Sequence, residues 1–345
     1  MPKIAVLPGD GIGQEVLAEG LRVLEAVAPG LEYEHFDLGA ERYLRDGTTM
    51  PADVMKRFGD EFDAVYLGAL GDPRVPTNVH AKDILIGSRF QLDRYINFRP
   101  CRLLDARYCP LKDKTEADID FVVFRENTEG LYTGVGGQFK RGSPDEIAIE
   151  QEINTRKGVE RIIRAAFSFA REHGRKGVCM SDKANAMRHG HDLWQRVFRE
   201  VAAEYPEIKP SHLYVDVLAM RLVQAPQEFD VIVTNNLFGD IITDLGAALQ
   251  GGIGLASSGN LNPGKAALFE PVHGSAPDIA GKGIANPLAA ILTAGMMLGY
   301  LGRPADDRRI QDAIQRCLKA GNVTRELGGT LSTREAGSAV LDALM

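Results

Sequence analysis

The chain has 345 residues, 44% of them hydrophobic and 25% charged, which is enough for a buried core and for two domains of about 150 residues each. Forty Lys and Arg against 47 Asp and Glu leave a net charge of −7, which argues against a general polybasic surface for nucleic acid or anionic lipid. The longest apolar stretch, Leu288 to Leu301, is shorter than the ~18–20 residues a spanning helix needs, and glycines interrupt it.

Read in chain order, short apolar runs alternate with helical periods. Lys3 to Leu7 reads as a buried strand; the Gly-rich Pro8-Gly-Asp-Gly-Ile-Gly13 and a helix from Gln14 to Ala28 follow it. No signal-peptide h-region stands at this end, and Cys101, Cys109, Cys179 and Cys317 show no CxxC spacing, so a cytoplasmic protein with reduced thiols is expected. Phe62–Leu67, Asp120–Phe124, Gly177–Ser181, His212–Val215 and Phe229–Thr234 are the next strand candidates. Helical periods cover Thr155–Glu172, His191–Ala203, Leu237–Leu249 and Pro287–Tyr300, and Gly134–Ser143 is turn-rich enough for a hairpin or arm. Strand and helix in alternation predict an α/β protein with mainly parallel strands.

The helix after Phe229–Thr234 carries the most chemistry. Phe238, Ile241, Ile242, Leu245 and Leu249 mark its buried face, while Asp240 and Asp244 project one turn apart. Two like charges so placed repel unless a proton or cation joins them, and hard oxygen ligands suit Mg²⁺ or Mn²⁺. An isolated DxxxD is more often a solvated helix face. Asn235-Asn236 at the strand-to-helix turn favours a site, because α/β proteins place sites at the carboxyl ends of strands. Asp216, after another strand, is a third candidate carboxylate.

Arg89 and Arg99 flank the amphipathic RFQLDRYINFR, and Arg125 ends a strand. Singly, each reads as a surface ion-pair partner; together, three guanidinium forks suit a di- or tricarboxylate. Tyr132, in RENTEGLY, is a candidate general acid or an ordinary packed tyrosine. Lys183 ends a strand and becomes a candidate base if its surroundings lower its pKa. His189, His191 and His212 lack ligand spacing and read as surface or satisfied core residues. The Gly9–Gly13 run lacks GxGxxG spacing and is a weak dinucleotide signal. A better phosphate and adenosine candidate is the loop His273-Gly274-Ser275-Ala276-Pro277-Asp278-Ile279, with Asn286 opening the next helix.

RFQLDRYINFRP, RENTEGLY, DKANAM, NNLFGDIITDLGAAL and EPVHGSAPDIAGKGIANP occur in an order that closely resembles the β-decarboxylating dehydrogenases, from Pro8 to the C-terminus. The resemblance implies a two-domain, non-Rossmann α/β fold with a mainly parallel sheet and an intersubunit arm. One domain would comprise 1–99 with 252–345, and the other 100–251, where a homodimer forms. It further implies that Arg89, Arg99 and Arg125 grip a malate moiety, that Asp216, Asp240 and Asp244 hold Mg²⁺ or Mn²⁺, and that Asp216 also faces the substrate. Tyr132 and Lys183 would be the catalytic pair, and residues His273 to Ile279 with Asn286 would bind NAD. Lys183 and Asp216 would reach the neighbouring subunit's site. Substrate choice is read from the helix before Arg89, where Leu85 and Ile86 suit an isopropyl group and leave an extra carboxylate without a partner. The implied reaction is oxidative decarboxylation of 3-isopropylmalate in leucine biosynthesis, with tartrate or malate as the alternative substrate. A catalytically silent NAD- or metabolite-binding module is the alternative of another class.

Overall fold

Twelve strands and twelve helices follow from the alternation. A computed structural model describes residues 1–345. In chain order they begin with β1 (Lys3–Gly9), α1 (Gly13–Val27), β2 (Glu32–His35), α2 (Ala40–Asp46), α3 (Ala52–Asp60), β3 (Ala64–Ala69), α4 (Val79–Ala81), α5 (Gly87–Gln91) and β4 (Ile96–Arg102). Next come β5 (Asp120–Glu126), β6 (Gly136–Phe139), β7 (Ile147–Glu150), α6 (Arg156–Glu172), β8 (Gly177–Asp182), α7 (Arg188–Ala202), β9 (Lys209–Tyr214), α8 (Val215–Gln224), β10 (Val231–Thr234) and α9 (Asn236–Leu249). The chain ends with β11 (Ser257–Leu261), β12 (Ala267–Pro271), α10 (Leu288–Tyr300), α11 (Pro304–Ala320) and α12 (Thr333–Leu344). No helix is long and apolar enough to cross a membrane.

The elements gather into two units. The first is Met1–Arg94, Pro100–Ile119 and Ala247–Met345; the second is Tyr95–Arg99 and Asp120–Gly246. The 100–119 stretch therefore belongs with the chain ends, not with a central 100–251 domain. Its side chains explain this: Leu104 and Tyr108 join the hydrophobic core of the first unit, and Arg107 donates to the Leu318 carbonyl at 2.5 Å.

In the first unit the strand order is β2-β1-β3-β12-β11, parallel except for the β11–β12 pair. The fully apolar β3 and the α10 helix are buried because layers cover them: α10 packs against α1 and α11, and Tyr66 Oη donates to the Ala290 carbonyl at 2.7 Å. The C-terminal ends of the parallel β1, β3 and β12 lead into the loops at Gly9–Gly13, Leu70–Gly71 and Val272–Ile279. The first and last of these loops touch. Ile12 N–H donates to Ser275 O at 2.8 Å, and a Cβ on Gly11 would lie 2.0 Å from that same oxygen.

In the second unit β4, β5, β10, β8 and β9 lie in that order, and the β5–β10–β8–β9 pairs are all parallel. The carboxyl ends of these four strands bring Arg125, Asn235, Lys183 and Asp216 to one edge. β6 and β7 form a separate antiparallel hairpin, exposed throughout; the turn-rich Gly134–Ser143 covers its first strand, and the return strand lies beyond that segment. RFQLDRYINFR is not one amphipathic element: it splits into α5 and β4, with Asp93 at φ 49° breaking the helix. The expected buried face of α9 needs a correction as well. Ile242 and Leu249 are buried, but Ile241 is 57% exposed, because the unit covers only one side of the helix.

Candidate active site

The strand-end edge of the second unit holds a compact ionic cluster. Arg125, 1% exposed at the end of β5, donates from Nε to Asn236 Oδ1 at 2.9 Å and from Nη1 to Asp240 Oδ1. Tyr132 Oη donates to the other oxygen, Asp240 Oδ2, at 2.8 Å, and its ring lies under the Arg125 guanidinium at 5.1 Å. The turn before Tyr132 is built around Glu126: its carboxylate accepts from Thr128 N–H, Thr128 Oγ1 and Glu129 N–H, each at 2.8 Å. Burial nonetheless raises the Glu126 pKa above its ordinary value. Arg99, buried in β4, donates to Thr243 Oγ1 on α9 at 3.1 Å.

Asp244 lies one turn beyond Asp240. Its pKa is raised, first by burial and then by the Asp240 charge, while Arg99 and Arg125 pull it back down. Such a pair suits a divalent cation, which would relieve the repulsion and take waters or substrate oxygens at its open positions. The third expected carboxylate is held elsewhere in the unit. Asp216, in the first turn of α8, accepts from Lys183 Nζ at 2.5 Å, and this bond holds its carboxyl below the usual range. No group of three His, Cys, Asp or Glu side chains within the chain gathers to hold a metal. A complete ligand set therefore requires an oxygen from outside the Asp240–Asp244 pair.

Two carboxylate–histidine contacts beside Lys183 were not legible from the sequence. Asp182 accepts from Ala184 N–H at 3.1 Å and from His212 Nε2 at 3.0 Å; burial pushes its carboxyl up, and these bonds more than offset that. His191, read as a satisfied core residue, is fully buried and lies between the Lys183 amide and Glu152. His189 is exposed.

The first unit carries the other candidates. Leu85 and Ile86 are half-buried in a π-helical turn, Lys82–Ile86, that runs directly into α5. Arg89 is buried on α5 with Nη2 3.5 Å from Glu270 Oε1, which also accepts from Asn260 Nδ2 at 2.9 Å. The loop after β12 turns through Ala276 at φ 39°, buries Ser275 and leaves Asp278 exposed, while Ile279 packs against the Ile12, Val16 and Ala290 cluster. His273 Nε2 and Asn286 Nδ2 are buried polar atoms without a protein partner. Burial holds the His273 pKa below its ordinary value. A Cβ at Gly254 would lie 2.7 Å from Asn286 Nδ2 and 2.4 Å from Glu326, so only glycine lets these two polar side chains come so close to the backbone there. Two such unsatisfied polar atoms fit a polar, nucleotide-like ligand.

A family profile described as isocitrate/isopropylmalate dehydrogenase matches residues 3–340. The chain belongs to that family. Among curated dehydrogenases of the family, it is 48% identical over 343 residues to the 3-isopropylmalate dehydrogenase of Streptomyces griseus, covering 96% of this chain and 98% of that one. The corresponding enzyme of Thermobifida fusca is 47% identical over 347 residues, covering 97% and 98%. Family members of known structure share the fold. An isocitrate dehydrogenase from Methylococcus capsulatus superposes with a TM-score of 0.92 at 36% identity, over 100% of this chain and 99% of that one. A β-decarboxylating dehydrogenase from Thermococcus kodakarensis gives 0.82 at 35% identity, over 100% and 96%.

Proposed function

We propose that the chain oxidatively decarboxylates 3-isopropylmalate to 4-methyl-2-oxopentanoate and CO₂, with NAD as hydride acceptor and Mg²⁺ or Mn²⁺ as the metal, as a cytoplasmic enzyme of leucine biosynthesis. The observation that carries this reading is the Arg125–Asp240–Tyr132 cluster, with Asp244 one turn away, at the ends of parallel strands. Relatives named 3-isopropylmalate dehydrogenase at 46–48% identity support the choice of substrate, as do the apolar Leu85 and Ile86 before Arg89.

Asp240 and Asp244, with Asp216, would hold the cation, and His273 to Ile279 with Asn286 would hold NAD. When bound, the cation supplies Lewis-acid polarisation at the substrate oxygen, and the nicotinamide supplies the hydride acceptor. Arg89, Arg99 and Arg125 bind the malate carboxylates through charge-assisted hydrogen bonds. Lys183 accepts the proton of the 2-hydroxyl as hydride leaves C2, and the carboxylate on C3 departs as CO₂. Tyr132 then gives its phenolic proton to C3 of the resulting enol.

In this reading two copies share each site, with Lys183 and Asp216 serving the neighbour. The absence of a third metal-binding carboxylate beside Asp240 and Asp244 in one chain supports that arrangement. So do the exposed Met220, Val223 and Ile241 on α8 and α9, and Phe139, Ile147 and Ile149 on the hairpin, which are apolar surfaces a second copy would cover. The test follows NADH absorbance with a panel of 3-isopropylmalate, D-malate, tartrate and isocitrate in Mg²⁺. Highest kcat/KM for isopropylmalate is expected; a preference for another member of the panel, or no turnover, would overturn the assignment.

A further inference from the structure

Lys183 is held at its backbone as well as at its amine. Its N–H donates to His191 Nδ1 at 2.7 Å across the turn that opens α7. A backbone N–H is only a donor, so Nδ1 must be the bare nitrogen and the imidazole proton must sit on Nε2. Nε2 faces Glu152, 3.1 Å from Oε2, and a carboxylate accepts that proton. Glu152 has a second task. Its Oε1 accepts from Asn235 Nδ2 at 2.5 Å, and Asn235 Oδ1 accepts from Phe238 N–H at 2.8 Å in the first turn of α9. His191 is fully buried, the Glu152 side chain is 8% exposed and Asn235 is 3% exposed, so water does not compete for these bonds.

We propose that Glu152 and His191 are positioning residues. Glu152 selects the Nε2–H tautomer of His191, whose Nδ1 then fixes the backbone of Lys183. Through Asn235 the same carboxylate anchors the start of the helix bearing Asp240 and Asp244. One buried group thus sets both the turn that presents the base and the helix that presents the metal carboxylates. The inference rests on the reading of Lys183 as the base.

An isosteric change distinguishes this from simple packing. In Glu152→Gln the amide must present an NH₂ either to His191 Nε2 or to Asn235 Nδ2. In the first case the imidazole is driven to the opposite tautomer, which turns an N–H toward the Lys183 amide; in the second, two donors face each other. Glu152→Gln should lower kcat by ~10-fold or more, with KM for isopropylmalate and NAD within ~3-fold of wild type, the size expected for an outer-shell positioning group. His191→Asn, whose Oδ1 stands near the place of Nδ1, should keep a kcat at least ~5-fold above that of His191→Leu, since it can still accept the Lys183 amide. In the full-length protein labelled with ¹⁵N-histidine, NMR should show His191 as the Nε2–H tautomer in wild type and no longer so in Glu152→Gln. Wild-type kcat in Glu152→Gln, equal kcat in the Asn and Leu variants, or a wild-type His191 that is imidazolium or Nδ1–H would each overturn the proposal. Failure of the parent reading is seen separately, as Lys183→Ala retaining turnover; with Lys183→Ala inactive, the outcomes above bear on the positioning role alone.

Discussion

Tyr132 donates to Asp240 Oδ2 at 2.8 Å while Arg125 occupies Oδ1, so the candidate acid and a candidate metal ligand share one carboxylate. Each carboxylate oxygen has a further lone pair, and Asp240 can keep these donors while also facing a cation. Asp244 beside it has a raised pKa, first from burial and then from the Asp240 charge, so a cation between the two would relieve their repulsion. Chelation with EDTA should therefore abolish turnover, and Mg²⁺ or Mn²⁺ should restore it. Mn²⁺ affinity, read by electron paramagnetic resonance, should fall by ~10-fold or more in Asp240→Asn, in which a ligand loses its charge. Full activity after rigorous chelation would remove the metal from the reaction.

The proton-transfer pair makes a second prediction. Lys183→Ala and Tyr132→Phe should each lower kcat by ~10² or more, the usual contribution of a positioned base or acid. NAD affinity, measured by fluorescence titration, should stay near wild type, because the loop proposed to bind NAD belongs to the other compact unit. Near-normal turnover in either variant would strike that residue from the mechanism.

Gly239 supplies a third test that begins from geometry. A Cβ there would lie 2.4 Å from Arg125 Cγ and 2.6 Å from Arg125 Cβ, near the root of a side chain that is 1% exposed and cannot swing away. Elsewhere in a helix Gly→Ala gains about 0.5–1 kcal/mol. Here the clash should outweigh that gain, so Gly239→Ala should lower Tm and raise KM for isopropylmalate by ~10-fold or more, since the guanidinium proposed to bind its carboxylate is displaced. A more stable variant with unchanged KM would show that Arg125 can move freely.

Much of this was legible beforehand, for a physical reason that differs by element. Apolar runs buried on both faces, such as β3 and β10, announce themselves, whereas β2 (EYEH) and β11 (SSGNL) become strands only through their pairing partners; of β9 (KPSHLY) only the end from His212 was legible. Helical spacing was enough to bring Asp240 and Asp244 together. It could not show that Arg125, 115 positions earlier, would clasp Asp240, because that contact is made by β5–β10 pairing. Ile241 was misplaced for the opposite reason: periodicity finds apolar stripes but does not say whether the chain itself covers them. His191 has no signal of its own, since its meaning lies in Glu152, 39 residues away.

Glu152 also makes a pH prediction. Burial raises its carboxyl pKa, but its contacts with His191, Asn235 and Asn154 together outweigh burial and leave it below its ordinary 4.5. In the window below 4.5 the unfolded chain then binds more protons than the folded one, so this group's stabilisation is complete above 4.5 and lost as pH falls through the depressed value. Glu152→Gln resembles the protonated acid. The stability gap between wild type and Glu152→Gln, measured by urea unfolding, should be widest near neutrality and narrow as pH drops below 4.5. A gap that widens on acidification would reverse the assigned sign.

Cofactor choice is expected to turn on Asp278, exposed on the loop after β12, and on Ile279, which packs against the Ile12 and Val16 cluster. If the Asp278 carboxylate accepts hydrogen bonds from the adenosine ribose, a 2′-phosphate would meet a like charge there. Two such charges ~4 Å apart repel by about 1 kcal/mol in bulk water and by several times that in a partly desolvated site. Loss of the ribose hydrogen bonds adds to the penalty. NAD should therefore be preferred over NADP by ~100-fold or more in kcat/KM, equivalent to ~2.7 kcal/mol. Asp278→Lys with Ile279→Tyr should shift that preference toward NADP, by replacing the repelling anion with a cation and giving the phosphate a phenolic donor. Arg325, exposed in the 325–327 turn, is a cation that would soften the discrimination, so Arg325→Ala serves as the control and should sharpen it. Steady-state kinetics with both cofactors decide the matter. Equal use of NADP by the wild type would defeat the assignment of Asp278, and so would a double variant whose preference does not move.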